Sequence, residues 1–300
     1  MTKGNEYYGG YFWLAVISFV VPLFVAVKAF QEIAPTTKPT PVLDASGVDH
    51  AVWDYLLKSY VANGLVDYQG IQKDYLFREY LRELGAADPA ALNNDDEKLA
   101  LMCNAYNAFV INGVVSHKIN DTVDDFDIDG TGFFDLEEHI FAGKTMSLND
   151  LEHGMIRPLF KEPRIHVALV CAAKSCPAIR GEAYVGARID QQLEDQSFQF
   201  ANDKKYVSTN EKNELLLSPI LSWYGGDWDE KYPAGGYLAW IRDLVEDPEM
   251  KGKLDSAIKG ETPVKFVKYD WTLNSQATPG EHSGGTKKSG DFGSGSIPDE

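Results

Sequence analysis

The chain has 300 residues, 44% hydrophobic and 12% aromatic, which is too apolar for an intrinsically disordered protein. Its 45 acids against 28 bases give a net charge of −17 with no Lys/Arg run, which argues against nonspecific binding to nucleic acid or anionic lipid, and no nucleic-acid partner is expected. The cysteines, Cys103, Cys171 and Cys176, are an odd and sparse set rather than a disulfide framework.

Residues 1–10 form a short polar N-terminus. Tyr11 to Val27 (YFWLAVISFVVPLFVAV) is interrupted only by Ser18 and Pro22. Extended to Phe30, with Lys28 snorkelling, the run reaches the roughly 20 residues a hydrocarbon core requires. Tyr7, Tyr8, Tyr11, Phe12 and Trp13 suit a membrane interface. Residues 11–30 therefore read as a single-pass membrane anchor. A cleaved signal peptide is the competing reading, although no small-x-small site precedes Gln31. Lys3 before the span and Lys28 and Lys38 after it give a weak positive-inside signal, which slightly favours a globular domain outside the cytoplasm. Residues 31–43 read as a Pro-rich tether, 44–275 as the folded body, and 276–300, rich in Gly, Ser, Lys and Asp, as a disordered tail.

Within the body, Val48 to Ala62 and Ile71 to Leu84 carry helical periodicity, the second stopping at Gly85. Asp95 to His117 is a long helix opened by three acids and apolar on every side apart from Asn104, Asn107 and Asn112, the pattern of a central buried helix. Phe133 to Met146 reads as a hairpin turning near Ala142-Gly-Lys144. Ser147-Leu-Asn-Asp150 is a capping-box-like start for a helix to Leu159. Arg164 to Cys171 (RIHVALVC) is short and β-branched, and reads as a strand. A helix over Arg188 to Asn202, a hairpin over Lys205 to Ser218, a helix over Gly236 to Val245 and a strand over Val264 to Trp271 complete the pass. Helices early and strands late predict an α+β fold, a helix-rich N-terminal half on a small, mainly antiparallel sheet.

Several stretches together resemble the bacterial and plant family called domain of unknown function 547. They are Val66-Asp-Tyr68, Asn104-Ala-Tyr-Asn-Ala108, Gly132-Phe-Phe134, Ser147 to His153 with Arg157, His166 to Cys171 leading into Lys174-Ser-Cys-Pro177, and Tyr269-Asp-Trp271 with Asn274. The resemblance spans roughly residues 48 to 275 and implies no activity. One departure is Cys103, at a position where the family carries an apolar, often aromatic, run.

The segment His166 to Cys176 carries the sharpest chemical suggestion. Strand alternation puts Arg164, His166, Ala168 and Val170 on one face, leaving His166 as a polar intruder. A thiol beside a cation or base becomes nucleophilic. A Cys-His-Asp set of Cys176, His166 and Asp270, supported by Asn104, would perform acyl transfer or hydrolysis on a peptide-like substrate. The competing readings are a backbone-satisfied histidine with structural cysteines, and a Cys171–Cys176 disulfide. Cys103 is a rival nucleophile: Cys103, His166 and Asp270 follow the chain order of papain- and transglutaminase-like enzymes. It lies inside its helix, away from the N-terminus.

A noncatalytic alternative is a binding module whose polar cleft, lined by Glu152, His153, Arg157 and Lys174, takes a peptide or protein partner. His153 and Arg157, one turn apart, suit a carboxylate or phosphate. Glu152, His153 and His166 are thinkable metal ligands, but no HxxxH or CxxC spacing supports a metal site. Asp125-Phe-Asp-Ile-Asp-Gly130 imitates the start of an EF-hand loop without its twelfth-position acid. No nucleotide fingerprint occurs, so no cofactor is expected. The sequence gives no oligomeric state.

Overall fold

The longest apolar helix organises the rest. In the computed structural model, which describes residues 42–276, Asp95–Ser116 is buried on almost every side. Asn94 accepts from the N–H of Glu97 at 2.9 Å, and Asp95, Asp96 and Glu97 face the positive end of the dipole. Among the described residues this helix alone is long and apolar enough to cross a membrane, yet it lies inside the protein. The anchor expected at 11–30, the tether up to Pro41 and the tail beyond Gln276 lie outside the described residues.

Three helices, His50–Tyr60, Tyr68–Lys73 and Tyr75–Ala86, surround the N-terminal part of this core. The single helix expected over 71–84 is two, because Asp74 ends one and its carboxylate caps the next, accepting from the N–H of Leu76 at 3.1 Å. Trp53 stacks on Tyr80 with centroids 5.2 Å apart, joining the first helix to the third.

The strands are short and dispersed. Val61–Ala62 pairs with Leu65–Val66, Asp127–Ile128 with Thr131–Gly132, and His139–Phe141 with Lys144–Met146, all antiparallel. Val207–Thr209 lies antiparallel to Leu215–Leu217, which pairs in parallel with Val264–Phe266. The α+β class therefore holds, while the expected single sheet is replaced, among the described residues, by four small ones. The EF-hand-like stretch is a hairpin turn: Asp129 and Gly130 take φ of 53° and 85°, and the N–H of Gly130 donates to Asp127.

Two expected elements change character. Arg164 to Cys171 is not a strand, since Pro163–Val167 forms a 3-10 helix followed by irregular chain. Pro163 presets φ at its first position, and the Glu162 carboxylate accepts from the N–H of Arg164 at 3.1 Å. The β-branched composition reflects complete burial rather than strand pairing. Asn107 of the central helix supplies the missing partner, donating Nδ2–H to the carbonyl of Ala168 at 3.0 Å and accepting from the N–H of Val170 at 2.9 Å. The 3-10 helix also straddles two apolar clusters. Ile165 belongs to the one around the central helix, Val167 to a second containing Phe200, Trp228 and Trp240, and His166 lies between.

The helix expected from Ser147 to Leu159 opens as read. The N–H of Asp150 donates to Ser147 Oγ and the N–H of Ser147 to the Asp150 carboxylate, at 3.0 and 2.9 Å. Asp150–Ile156 is nevertheless a π-helix, with the N–H of Arg157 bonded to the carbonyl of Glu152, and the α-turn Arg157–Phe160 follows. Ile156 is buried with Leu148 and Leu151, while Leu159 is exposed.

Candidate functional site

The loop after the 3-10 helix carries two thiols and is sewn to the C-terminal segment. Lys174 N–H donates to the carbonyl of Thr272, Asn274 N–H to that of Ala172, and Ser175 N–H to that of Asp270. This registration sets the Tyr269 hydroxyl 3.0 Å from Cys171 Sγ. The loop folds back so that the N–H of Cys171 donates to Cys176 Sγ at 3.0 Å.

The two sulfurs differ in access and charge. Cys171 is half-buried and Cys176 is buried. Burial pushes the Cys171 thiol up, but hydrogen bonds from Cys176, the Tyr269 hydroxyl and the N–H of Ala173 outweigh it, so its pKa lies below that of an ordinary thiol. Burial and the neighbouring charge on Cys171 hold Cys176 well above that value. Of the pair, the surroundings favour the thiolate at Cys171 and the thiol at Cys176.

A second polar group stands in the same cleft. His166 Nε2 lies 2.7 Å from Asp227, and His166 Nδ1 lies 3.7 Å from Glu152. Arg157 grips both oxygens of Asp227, Nε at 2.9 Å and Nη2 at 2.8 Å, while its Nη1 meets His153 Nδ1 at 3.1 Å. Tyr224 stacks flat on the His166 ring at 3.9 Å. Burial lowers the His166 pKa despite its bond to Asp227, so the neutral ring donates Nε2–H and leaves the Nδ1 lone pair toward Glu152. Burial desolvates Asp227, but hydrogen bonds from His166 and Arg157 prevail and hold its carboxyl far below the usual range. Glu152 goes the other way: burial raises it to about 7, against a hydrogen bond from Tyr106 and the charge of Arg157. A carboxyl with that pKa gives and takes protons at neutral pH.

Both groups open on one cavity of about 700 Å³. Its walls are aromatic, including Phe133, Phe134, Trp223, Tyr224, Tyr269 and Trp271. Trp223 stacks on Trp271 at 6.1 Å and packs against Tyr269 at 4.9 Å. An apolar cleft with few convergent polar groups is the usual form of a small-ligand site.

The structure gathers Cys176, His166, Glu152, His153 and Arg157 around this cleft, along with Cys171. Asp270 stands elsewhere: it is exposed, its carboxylate accepts from the N–H of Thr272, and Asp227 is the acid that orients His166. Lys174 faces solvent, outside the cleft lining. Asn104 clamps the chain at Tyr184, accepting from its N–H and donating to its carbonyl, both at 2.8 Å. Cys103 is wholly buried, with its pKa driven far up by burial. Asp227, Tyr106 and Tyr224 escaped the sequence reading; the signal available for two of them was the acid set between aromatics and glycines in Trp223-Tyr-Gly-Gly-Asp-Trp228. Among the described residues, no group of three or more His, Cys, Asp or Glu side chains is arranged to hold a metal ion. The Arg157 guanidinium beside His153 opposes a cation there.

Residues 89–201 match the model of a family described as protein of unknown function, DUF547. The match contains Glu152, His166 and both thiols and stops short of Asp227 and Tyr269. No curated protein and no solved structure matches the chain.

Proposed function

We propose that this DUF547-bearing chain is a thiol-dependent hydrolase or acyltransferase acting on a peptide-like acyl substrate, with Cys171 as nucleophile. The observation that carries it is a half-exposed thiol whose hydrogen bonds favour thiolate, opening on an aromatic cleft that also holds a carboxyl of pKa about 7. Cys171 Sγ attacks the acyl carbon, the bond to the leaving group breaks, and Glu152 protonates that group as it departs. Water or an acceptor amine then takes the acyl group from the thioester, losing its proton to Glu152 or to the lone pair of His166, which Asp227 keeps in one tautomer. A papain- or transglutaminase-like version would need the thiol of the buried helix, and the burial of Cys103 weighs against it.

One observation favours the noncatalytic alternative, a cleft that binds a peptide or protein partner: both nitrogens of His166 face carboxylates rather than a thiol. Release of nitrophenol from p-nitrophenyl acyl esters separates the two. The enzyme reading expects release that disappears in Cys171→Ala and persists in Cys176→Ala. Release indifferent to Cys171, or none above that of free cysteine, leaves the binding module. Attachment to a membrane through residues 11–30, with the domain outside the cytoplasm, belongs to the same proposal and rests on the apolar run alone. Extraction of the full chain from membranes by alkaline carbonate would contradict it.

A further inference from the structure

The two thiols that share the cleft wall have more in common than the acyl chemistry uses. We propose that Cys171 and Cys176 are a peroxide-responsive pair, in which Cys171 is oxidised first and Cys176 resolves it into an internal disulfide. The inference rests on Cys171 being the half-buried, reactive thiol of the cleft, more accessible than Cys176, and adds a modification that switches it off.

Geometry supplies the first argument. The chain from Cys171 to Cys176 turns back on itself, with Ala172 at φ 61° and the N–H of Cys176 bonded to the carbonyl of Ala173 at 3.1 Å. That turn lays Cys176 Sγ 3.0 Å from the backbone nitrogen of Cys171, five residues away in sequence, with its own thiol directed to the carbonyl of Leu169 at 3.9 Å. Both cysteines are reduced in this structure. The loop is tied down through the backbone of Ala172, Lys174 and Ser175, and the carbonyl of Cys176 accepts from Tyr206 at 2.9 Å and Lys205 at 3.3 Å. Those anchors do not use the sulfurs and keep the ends of the loop together whichever state the sulfurs take.

Order of reaction is set by access and charge. Peroxide reaches the half-exposed Cys171, and the thiolate is the species it oxidises. The Cys171 thiolate attacks one peroxide oxygen: an S–O bond forms, the O–O bond breaks, and the departing hydroxide takes a proton to leave as water. The sulfenic acid that results is neutral. Its formation removes the charge and the hydrogen-bond demand that kept Cys176 protonated, leaving burial as the main opposition, with the Lys205 ammonium nearby. Cys176 then attacks the sulfenic sulfur, the S–S bond forms, the S–O bond breaks and a second water leaves. Two thiols and one hydrogen peroxide become one disulfide and two waters. Cys103, enclosed in the central helix, takes no part.

Hydrogen peroxide, added in slight excess to the reduced full chain at neutral pH, tests this with a thiol count and intact mass. The expected result is loss of two free thiols, a mass lower by two hydrogens, a crosslink mapped to Cys171–Cys176, and full reversal by dithiothreitol. In Cys176→Ser the first step still proceeds and stops, so dimedone labels Cys171 in the variant and not in the wild type. Where that variant fails to fold by circular dichroism, Cys176→Ala is read instead. Equal dimedone labelling of Cys171 with and without Cys176, or progression of wild-type Cys171 to the sulfinic acid, overturns the pair. A disulfide without acyl transfer at Cys171 removes the proposed activity and leaves the pair standing. Acyl transfer without a disulfide does the reverse.

Discussion

Tyr269→Phe isolates the contact on which the ionisation of Cys171 depends. The ring packs against Trp223 at 4.9 Å and Trp271 at 4.6 Å, and phenylalanine keeps both contacts. Only the hydroxyl 3.0 Å from Cys171 Sγ is lost. A hydrogen bond to a charged group contributes about 1.5–3 kcal/mol, and sulfur, a weaker acceptor than oxygen, places this one at the lower end. At about 1.4 kcal/mol per pH unit, the Cys171 pKa should rise by roughly one unit. Well below both pKa values the thiolate fraction falls about tenfold while nucleophilicity rises about threefold, so alkylation slows about threefold. Well above both, the variant carries the more basic thiolate and alkylates about threefold faster. The two profiles of iodoacetamide labelling against pH, mapped to Cys171, should therefore cross. Superimposed profiles, or a variant slower by the same factor at every pH, would refute the reasoning.

Asn107→Leu strands two buried backbone groups, at Ala168 and Val170, and should cost about 2–4 kcal/mol in urea denaturation, whereas Asn112→Ala, half-buried and bonded only to Ser116, should cost less, within about 0.5 kcal/mol. Equal costs for both would remove the clamp. Glu152→Gln should stabilise the protein above pH 7 by on the order of 3 kcal/mol, because a carboxyl raised from 4.5 to about 7 loses stability as pH climbs through that interval. The advantage should vanish below pH 4.5, and a pH-independent difference would contradict the assignment. Asp227→Asn removes the acid shared by Arg157 and His166. With Arg157 and Asp227 partly exposed and His166 buried, the loss should be about 1–3 kcal/mol. The Asp227 pKa is depressed, so its contribution is present above 3.8 and declines as pH falls further; a difference unchanged by acid would count against the ion pair.

The central helix with its three opening acids, the two hairpins around Ala142-Gly143 and Asn210–Asn213 and the capping box at Ser147 were legible because each is decided by a few adjacent residues. The strand at Arg164 was not. Burial on all sides and β-branching look alike in a paired strand and in a chain whose backbone is satisfied by an amide, and Asn107 is 61 residues from Ala168. The same distance hid the acid of the site. Asp227 reaches His166 across 61 residues of sequence, on a segment with no periodic pattern, whereas Asp270 falls on the strand expected over Val264 to Trp271 and is exposed. Choosing between Cys171 and Cys176 needed the registration of the C-terminal segment, which brings Tyr269 to one sulfur. Charge and spacing near Ser147 pointed to Glu152, His153 and Arg157, which line one cleft, though the π-turn that precedes Arg157 is invisible to an i, i+4 count.

Mapping the acyl group after an acid quench tests the central claim most directly. With an activated peptide thioester given to the reduced full chain, the acyl group should sit on Cys171 as a hydroxylamine-sensitive adduct, with Cys103 and Cys176 unmodified. An adduct confined to Cys176 or to lysine side chains, or no adduct while the cleft still binds the peptide, would contradict it.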